Sequence, residues 1–149
     1  MLARISTAFI AVAMLTSVSA ADWDSASGKP GLIPFWIDTP IHYTMIVFVN
    51  GSEDYNDVIS LRLCDPNGYL CSTISSRLFS LRSREMLMFS TKANPPSLFD
   101  CFQIPVSAPH GYAMFRVDEG GSIHAFAFIV NEVTGRLTEV PVYVQDKGF

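Results

Sequence analysis

Between residues 57 and 65 the side chains alternate. Ile59, Leu61 and Leu63 fall on one side of an extended chain, and Val58, Ser60, Arg62 and Cys64 on the other. A period of two marks a half-buried β-strand, because successive side chains of an extended backbone point to opposite faces. The same texture recurs as short runs rich in Val, Ile, Phe and Tyr, each ended by Gly, Pro, Asn or Asp. These runs predict strands at Leu32–Ile37, Tyr43–Asn50, Asp57–Cys64, Tyr69–Ile74, Arg77–Leu81, Glu85–Ser90, Tyr112–Asp118, Ile123–Asn131 and Leu137–Val144. No stretch between them holds a helical period for the needed length. The expected fold is all-β, a single-domain antiparallel β-sandwich of two layers, Ig-like or jelly-roll-like.

Two runs break the alternation. Tyr43-Thr44-Met45-Ile46-Val47-Phe48-Val49 and Ile123-His124-Ala125-Phe126-Ala127-Phe128-Ile129-Val130 are apolar at both parities, which suits central strands whose outer face is also covered. Two covers present themselves: the Pro-rich excursion from Lys92 to His110, with Leu98, Phe99, Phe102 and Ile104, or another subunit. Turn chemistry points to a sequential antiparallel layout. Asp65-Pro66-Asn67-Gly68 has type I turn preferences, Asn131 to Arg136 can reverse the chain between the last two strands, and Asn50 to Asp54 is a polar loop.

The order of these runs resembles the sensory rhodopsin transducer family. The resemblance lies in Tyr43 to Asn50, the acidic loop, Val58 to Leu63, the Asp-Pro-Asn-Gly turn and Leu78 to Phe89, then Tyr112 to Val117 and Ile123 to Phe128. It covers roughly residues 40 to 131 as a pattern, without a diagnostic motif. It implies a small oligomeric β-sandwich; the export signal and cysteines depart from a cytosolic transducer, so photosignalling is not implied.

The chain opens with Arg4, an apolar run from Ile5 to Leu15, and Val18 and Ala20 ahead of Ala21-Asp22. This reads as a cleaved secretory signal, since the run is shorter than the ~20 apolar residues of a membrane span and ends on small residues. The expected organisation is a signal peptide at 1–20, a flexible leader at 21–31 and a sandwich domain at 32–149, with no later transmembrane segment and a secreted or periplasmic location. Cleavage leaves 129 of the 149 residues, one domain's worth, with nine basic against 14 acidic residues and a net charge of −5. The arginines are scattered among acids, so nucleic acid is excluded as an expected partner.

Export makes the cysteines meaningful. A four-residue hairpin loop, Pro66 to Tyr69, would set Cys64 opposite Cys71 at disulfide distance; a three-residue loop with Gly68 as a bulge would set Cys64 opposite Leu70 and throw the sulfurs onto opposite faces. Cys101 competes for either partner. One wide bracket and one distant cysteine do not make a zinc site, and no metal or cofactor is expected.

His42, His110 and His124 sit singly, without ligand or catalytic spacing. Asp54 with Asp57 and Asp118 with Glu119 belong to polar turns, and no Gly-x-Ser-x-Gly elbow is present. Exposed Trp36, Tyr55 or Tyr69 would suit a carbohydrate-binding module by stacking on sugars, whereas buried they are core. Asn50-Gly51-Ser52 matches a glycosylation acceptor. The expectation is therefore a non-catalytic, exported protein that binds or self-assembles through an apolar sheet face. The partner is a second copy or another envelope or extracellular protein. A carbohydrate-binding module is the alternative, and a hydrolase built on His110 or His124 comes after it.

Overall fold

Alternating segments do become strands in the computed structural model, which describes residues 28–72, 78–92, 101–118 and 122–144. The signal segment, the leader to residue 27, Ile74, Arg77, Leu98, Phe99 and Glu119 lie outside the described residues. The strands are β1 (Gly28–Ile37), β2 (His42–Asn50), β3 (Asp57–Cys64), β4 (Leu78–Leu81), β5 (Met86–Ser90), β6 (Cys101–Gln103), β7 (His110–Asp118), β8 (Ile123–Asn131), β9 (Leu137–Val140) and β10 (Tyr143–Val144). They form two five-stranded sheets, ordered β10-β1-β7-β3-β4 and β6-β5-β2-β8-β9. Every pairing is antiparallel except β5 with β6. The fold is a β-sandwich with its core between the sheets.

Four expectations are corrected. The first strand starts at Gly28, not Leu32, so residues 28–31 leave the leader and pair with β7. Pro30 lies opposite Arg116 of β7 in the stretch of β1 that precedes its pairing with β10 at Gly31 and Leu32. The strand expected at Tyr69–Ile74 is reduced, within the described residues, to one isolated bridge between Leu70 and Cys64. The run Leu137–Val144 breaks before Pro141: β9 joins the second sheet and β10 the first, and Val142 packs on the core between them. The layout is also not sequential, since β2 sits between β5 and β8, and β7 between β1 and β3.

Five phenylalanines set the spacing of the layers. Phe115 on β7 meets Phe48 on β2 edge-on, with centroids 5.2 Å apart. Phe48 meets Phe89 at 5.9 Å, and Phe89 meets Phe79 at 4.7 Å, both edge-on. Phe102 of β6 closes the series against Phe79 and Phe89. Such edge-to-face pairs add about 0.5–1.5 kcal/mol each to the burial of the rings.

Gly31, opposite Phe115 in the β1–β7 ladder, makes room for this stack: a Cβ there would overlap the Phe115 ring. Trp36, after a bulge in β1, is fully buried, and its indole N–H is shared between the carbonyls of Cys64 (3.1 Å) and Tyr112 (2.9 Å). One side chain thereby ties β1, β3 and β7. Opposite it Gly111 allows the close approach, since a Cβ there would overlap the Cys64 carbonyl.

Gly31→Ala should therefore destabilise the fold by about 2–3 kcal/mol, the usual scale of overpacking where the obstacle is a ring fixed by its neighbours. Gly51→Ala, where the nearest obstacle is the Ser122 carbonyl at 3.4 Å, should cost much less. Urea midpoints of the two variants check the ordering.

Candidate functional site

The register of the second sheet sorts β2 into two faces. Thr44, Ile46, Phe48 and Asn50 turn inward with Leu87 and Phe89 of β5 and Ala125, Ala127 and Ile129 of β8. The odd positions of β2 therefore turn outward. Across the ladder, Val47 lies between Met88 and Phe126, Met45 between Ser90 and Phe128, and Val49 between Met86 and His124. Tyr43 pairs with Val130, which pairs with Leu137 of β9. The outer face is thus mostly apolar over four strands, β5, β2, β8 and β9, with Ser90, His124 and the exposed Glu139 opposite Phe128 as its polar members. At its centre Tyr43, Val47 and Val130 are buried, whereas Met86 (51%), Phe126 (42%) and Leu137 (55%) stand open. Lys92 at one end pairs with Glu132 and lies 5.7 Å from the centre of the Tyr43 ring.

Apart from Lys92, which lies against Tyr43 at one end, the described part of the Pro-rich excursion does not lie across this face. Residues Cys101–Gln103 extend the sheet edgewise as β6, Phe102 turns to Phe79 and Phe89, and Ile104 is buried in the core. Sequence reasoning singled out β2 and β8 but missed Met86, Met88 and Leu137. The run Met86-Leu87-Met88, apolar at both parities, was the available signal.

The aromatic candidates do not converge. Trp36 is core, while Tyr55 and Tyr69 are exposed beyond opposite ends of β3, a strand about 23 Å long at 3.3 Å per residue. Nor do the histidines. His42 Nε2 lies 3.1 Å from Asn131 Nδ2, His124 Nε2 lies 3.4 Å from Ser122 Oγ, and His110 packs near Phe35. His42 and His124 are seven positions apart along the β2–β8 ladder. Among the described residues no group of three or more His, Cys, Asp or Glu could hold a metal ion, and no helix is long and apolar enough to cross a membrane.

Asn50 also changes its reading. It is buried, and its amide donates to the carbonyls of Tyr55 (2.8 Å) and Leu81 (3.3 Å) while its Oδ1 accepts from Ser52 N–H (2.9 Å). Those bonds leave no outward amide for a glycan; the side chain clamps the β2–β3 loop.

The cysteines are not joined by a disulfide, which corrects the expected bridge. The hairpin takes the Gly68-bulge register: Gly68 has φ 89°, Asp65 N–H bonds to Tyr69 O, and Cys71 N–H bonds to Leu63 O. Cys64 thereby faces Leu70 on the outer side of the first sheet near Tyr112, while Cys71 enters the core and Cys101 lies opposite Met88 on the second sheet. Burial pushes both hairpin thiols up, against smaller opposing effects of Tyr112 and Arg62 at Cys64 and of Ser107 at Cys71. It likewise raises the phenols of Tyr43 and Tyr112, with Cys101 and Cys64 adding to the rise.

Compared with known proteins, the chain matches no family model, no curated protein and no solved structure.

An alkaline weakness follows. The folded chain keeps the Cys64 and Cys71 thiols protonated above the ordinary 9.0, so it binds more protons there than the unfolded chain. Their stabilisation is complete below pH 9 and is lost as pH rises through the raised folded values. Urea midpoints should fall between pH 8 and 10.5, and less steeply in the Cys64→Ala, Cys71→Ala double variant. Asn50→Ala should lower stability by about 1–3 kcal/mol, the cost of orphaning buried carbonyls, in the same urea assay.

Proposed function

We propose that this is an exported protein without a catalytic role that works by self-assembly, two copies meeting through the apolar outer face of the second sheet. The observation that carries the reading is the cross-strand row Met88–Val47–Phe126, flanked by Met86, Met45, Phe128 and Leu137. A face about 14 Å across its four strands and about 30 Å along β2 is roughly half of the 800 Å² per partner of standard interfaces before its corrugation is counted, which suits a weak assembly.

A second copy suits this face better than an oppositely charged partner. The Lys92 charge at its margin is already paired with Glu132 within the chain and Glu139 stands toward the β9 edge opposite Phe128, so the row Met88–Val47–Phe126 offers apolar chemistry that its own copy also supplies. Self-association is also what the resemblance to the sensory rhodopsin transducers implies. The glycan reading has weaker support, because the exposed tyrosines do not share a platform. Hydrolysis has weaker support too, because the described histidine contacts include no carboxylate.

Magnitudes set the form of the test. Completing the burial of three half-open side chains on each of two copies contributes about 1 kcal/mol apiece, about 6 in all before further packing and ordering costs. That corresponds to dissociation no tighter than tens of micromolar, so the assembly must be weak and concentration-dependent.

Light scattering on the secreted chain should show its mass rising towards that of a dimer from tens of micromolar upward. Phe126→Glu should hold it at the monomer with an unchanged circular dichroism spectrum, and Tyr143→Glu on the first sheet should behave as the parent. A monomeric mass at every concentration contradicts the proposal. Terminal sequencing of the secreted chain should begin at Ala21; a retained Met1 contradicts the export reading.

A further inference from the structure

The hairpin after β3 holds two buried thiols that its register keeps apart by a single position. Cys64 faces Leu70, whereas Cys71 stands opposite Leu63 and points the other way. They are close enough for charge on Cys64 to raise the Cys71 thiol. The arm carrying Cys71 forms no strand within the described residues: two ladder bonds join it to β3, Asp65 N–H to Tyr69 O (2.9 Å) and Cys71 N–H to Leu63 O (2.9 Å), and Cys71 and Ser72 are buried. Ser107 adds bonds to the Cys71 carbonyl from its N–H (3.0 Å) and its hydroxyl (3.2 Å). The turn depends on Gly68 at positive φ and on the Asp65 carboxylate, which accepts the N–H groups of Asn67 (2.8 Å) and Tyr69 (2.9 Å).

We infer that this hairpin is a redox switch: a one-residue slip of the Leu70–Cys71 arm along β3 brings Cys64 opposite Cys71, and a disulfide-bearing oxidant then locks the slipped register. Side chains on a strand alternate, so a slip of one position changes the face of every residue on the arm. Cys71 leaves the core for the outer side beside Cys64. Leu70, which is 44% exposed in the reduced register, takes the inward parity shared by Leu63, and Ser72 comes opposite Leu63. The inward place opposite Leu63 that Cys71 leaves is thus taken by Ser72, and Leu70 turns inward one position further along, opposite Asp65. The two registers are the four-residue and the bulged three-residue forms of one loop.

The chemistry is thiol–disulfide exchange. One thiol loses its proton, and its sulfur attacks the oxidant's S–S bond, forming a mixed disulfide and releasing one oxidant thiolate. The second cysteine sulfur, on losing its proton, displaces the remaining oxidant thiolate and forms the Cys64–Cys71 bond. Two protons pass to the two released thiolates, and two electrons reduce the oxidant.

The test is to expose the native full chain to oxidised glutathione and to follow alkylatable thiols and non-reducing peptide maps. The switch predicts the loss of two of the three alkylatable thiols, a Cys64–Cys71 linked peptide, the same linkage in Cys101→Ser, and its absence in Cys71→Ser. It further predicts that Leu70→Asp, an exposed position in the reduced register, leaves the reduced fold intact and slows closure several-fold, because the slip would turn a carboxylate inward. Three results would overturn it: three persisting thiols under conditions that fully oxidise the urea-unfolded chain, linkage to Cys101 instead, or closure no faster than global unfolding. Unchanged closure in Leu70→Asp would also overturn it, since a bond formed without the slip would not depend on that side chain.

Discussion

A pleated strand presents two faces, and a two-layer sandwich has a core for only one of them. In β2 that choice is made by Phe48, whose ring meets Phe115 and Phe89 edge-on. Once Phe48 and Ile46 point inward, Tyr43, Met45, Val47 and Val49 must point outward, whatever their polarity. The antiparallel register then brings apolar residues of β5 and β8 alongside them. The apolar outer face is the geometric remainder of a well-satisfied core.

The two sheets differ in how they spend their outer surfaces. The first carries Ser60, Arg62, Cys64, Tyr112, Met114 and Arg116 at outward positions of β3 and β7, a mixed polar and apolar composition in which Ser60 and Cys64 are buried. It also carries the closest fitting, with Gly31 under Phe115 and the Trp36 indole shared between two carbonyls. The second sheet is the apolar one, and its described excursion widens the sheet at its edge instead of covering it. The closest fitting and the most apolar outer surface therefore reside in different layers, so substitutions on the outer face of β2 and β8 do not touch the indole and glycine contacts.

Much of the fold was legible because local pattern and burial agree. The bounds of β3 and β8 match their alternating or doubly apolar runs, and the Asn131–Arg136 reversal forms as its residues imply, with Gly135 at φ 68° and Asn131 accepting two N–H groups. What escaped depends on long-range partners. Pro141 divides one apolar run between two sheets, which periodicity cannot register. Gly28–Gly31 look like linker until β7 pairs with them. The hairpin offered two registers of similar local quality, and the choice between them decides where the thiols point. For the candidate site, β2 and β8 were visible, but the contribution of Met86 and Met88 appears only when β5 is placed beside β2. Trp36 looked like a possible sugar platform because a sequence does not show that its N–H has two carbonyls waiting inside.

The central claim is that the outer face of the second sheet is a contact surface between copies, and the methionines report on it directly. Met45, Met86 and Met88 lie on that face, while Met114 lies on the outer side of the first sheet. With 13C-labelled methionine methyls and a soluble paramagnetic probe, raising the protein concentration should shield Met45, Met86 and Met88 from the probe and leave Met114 unchanged. Equal probe exposure of all four methyls at every concentration would contradict the account.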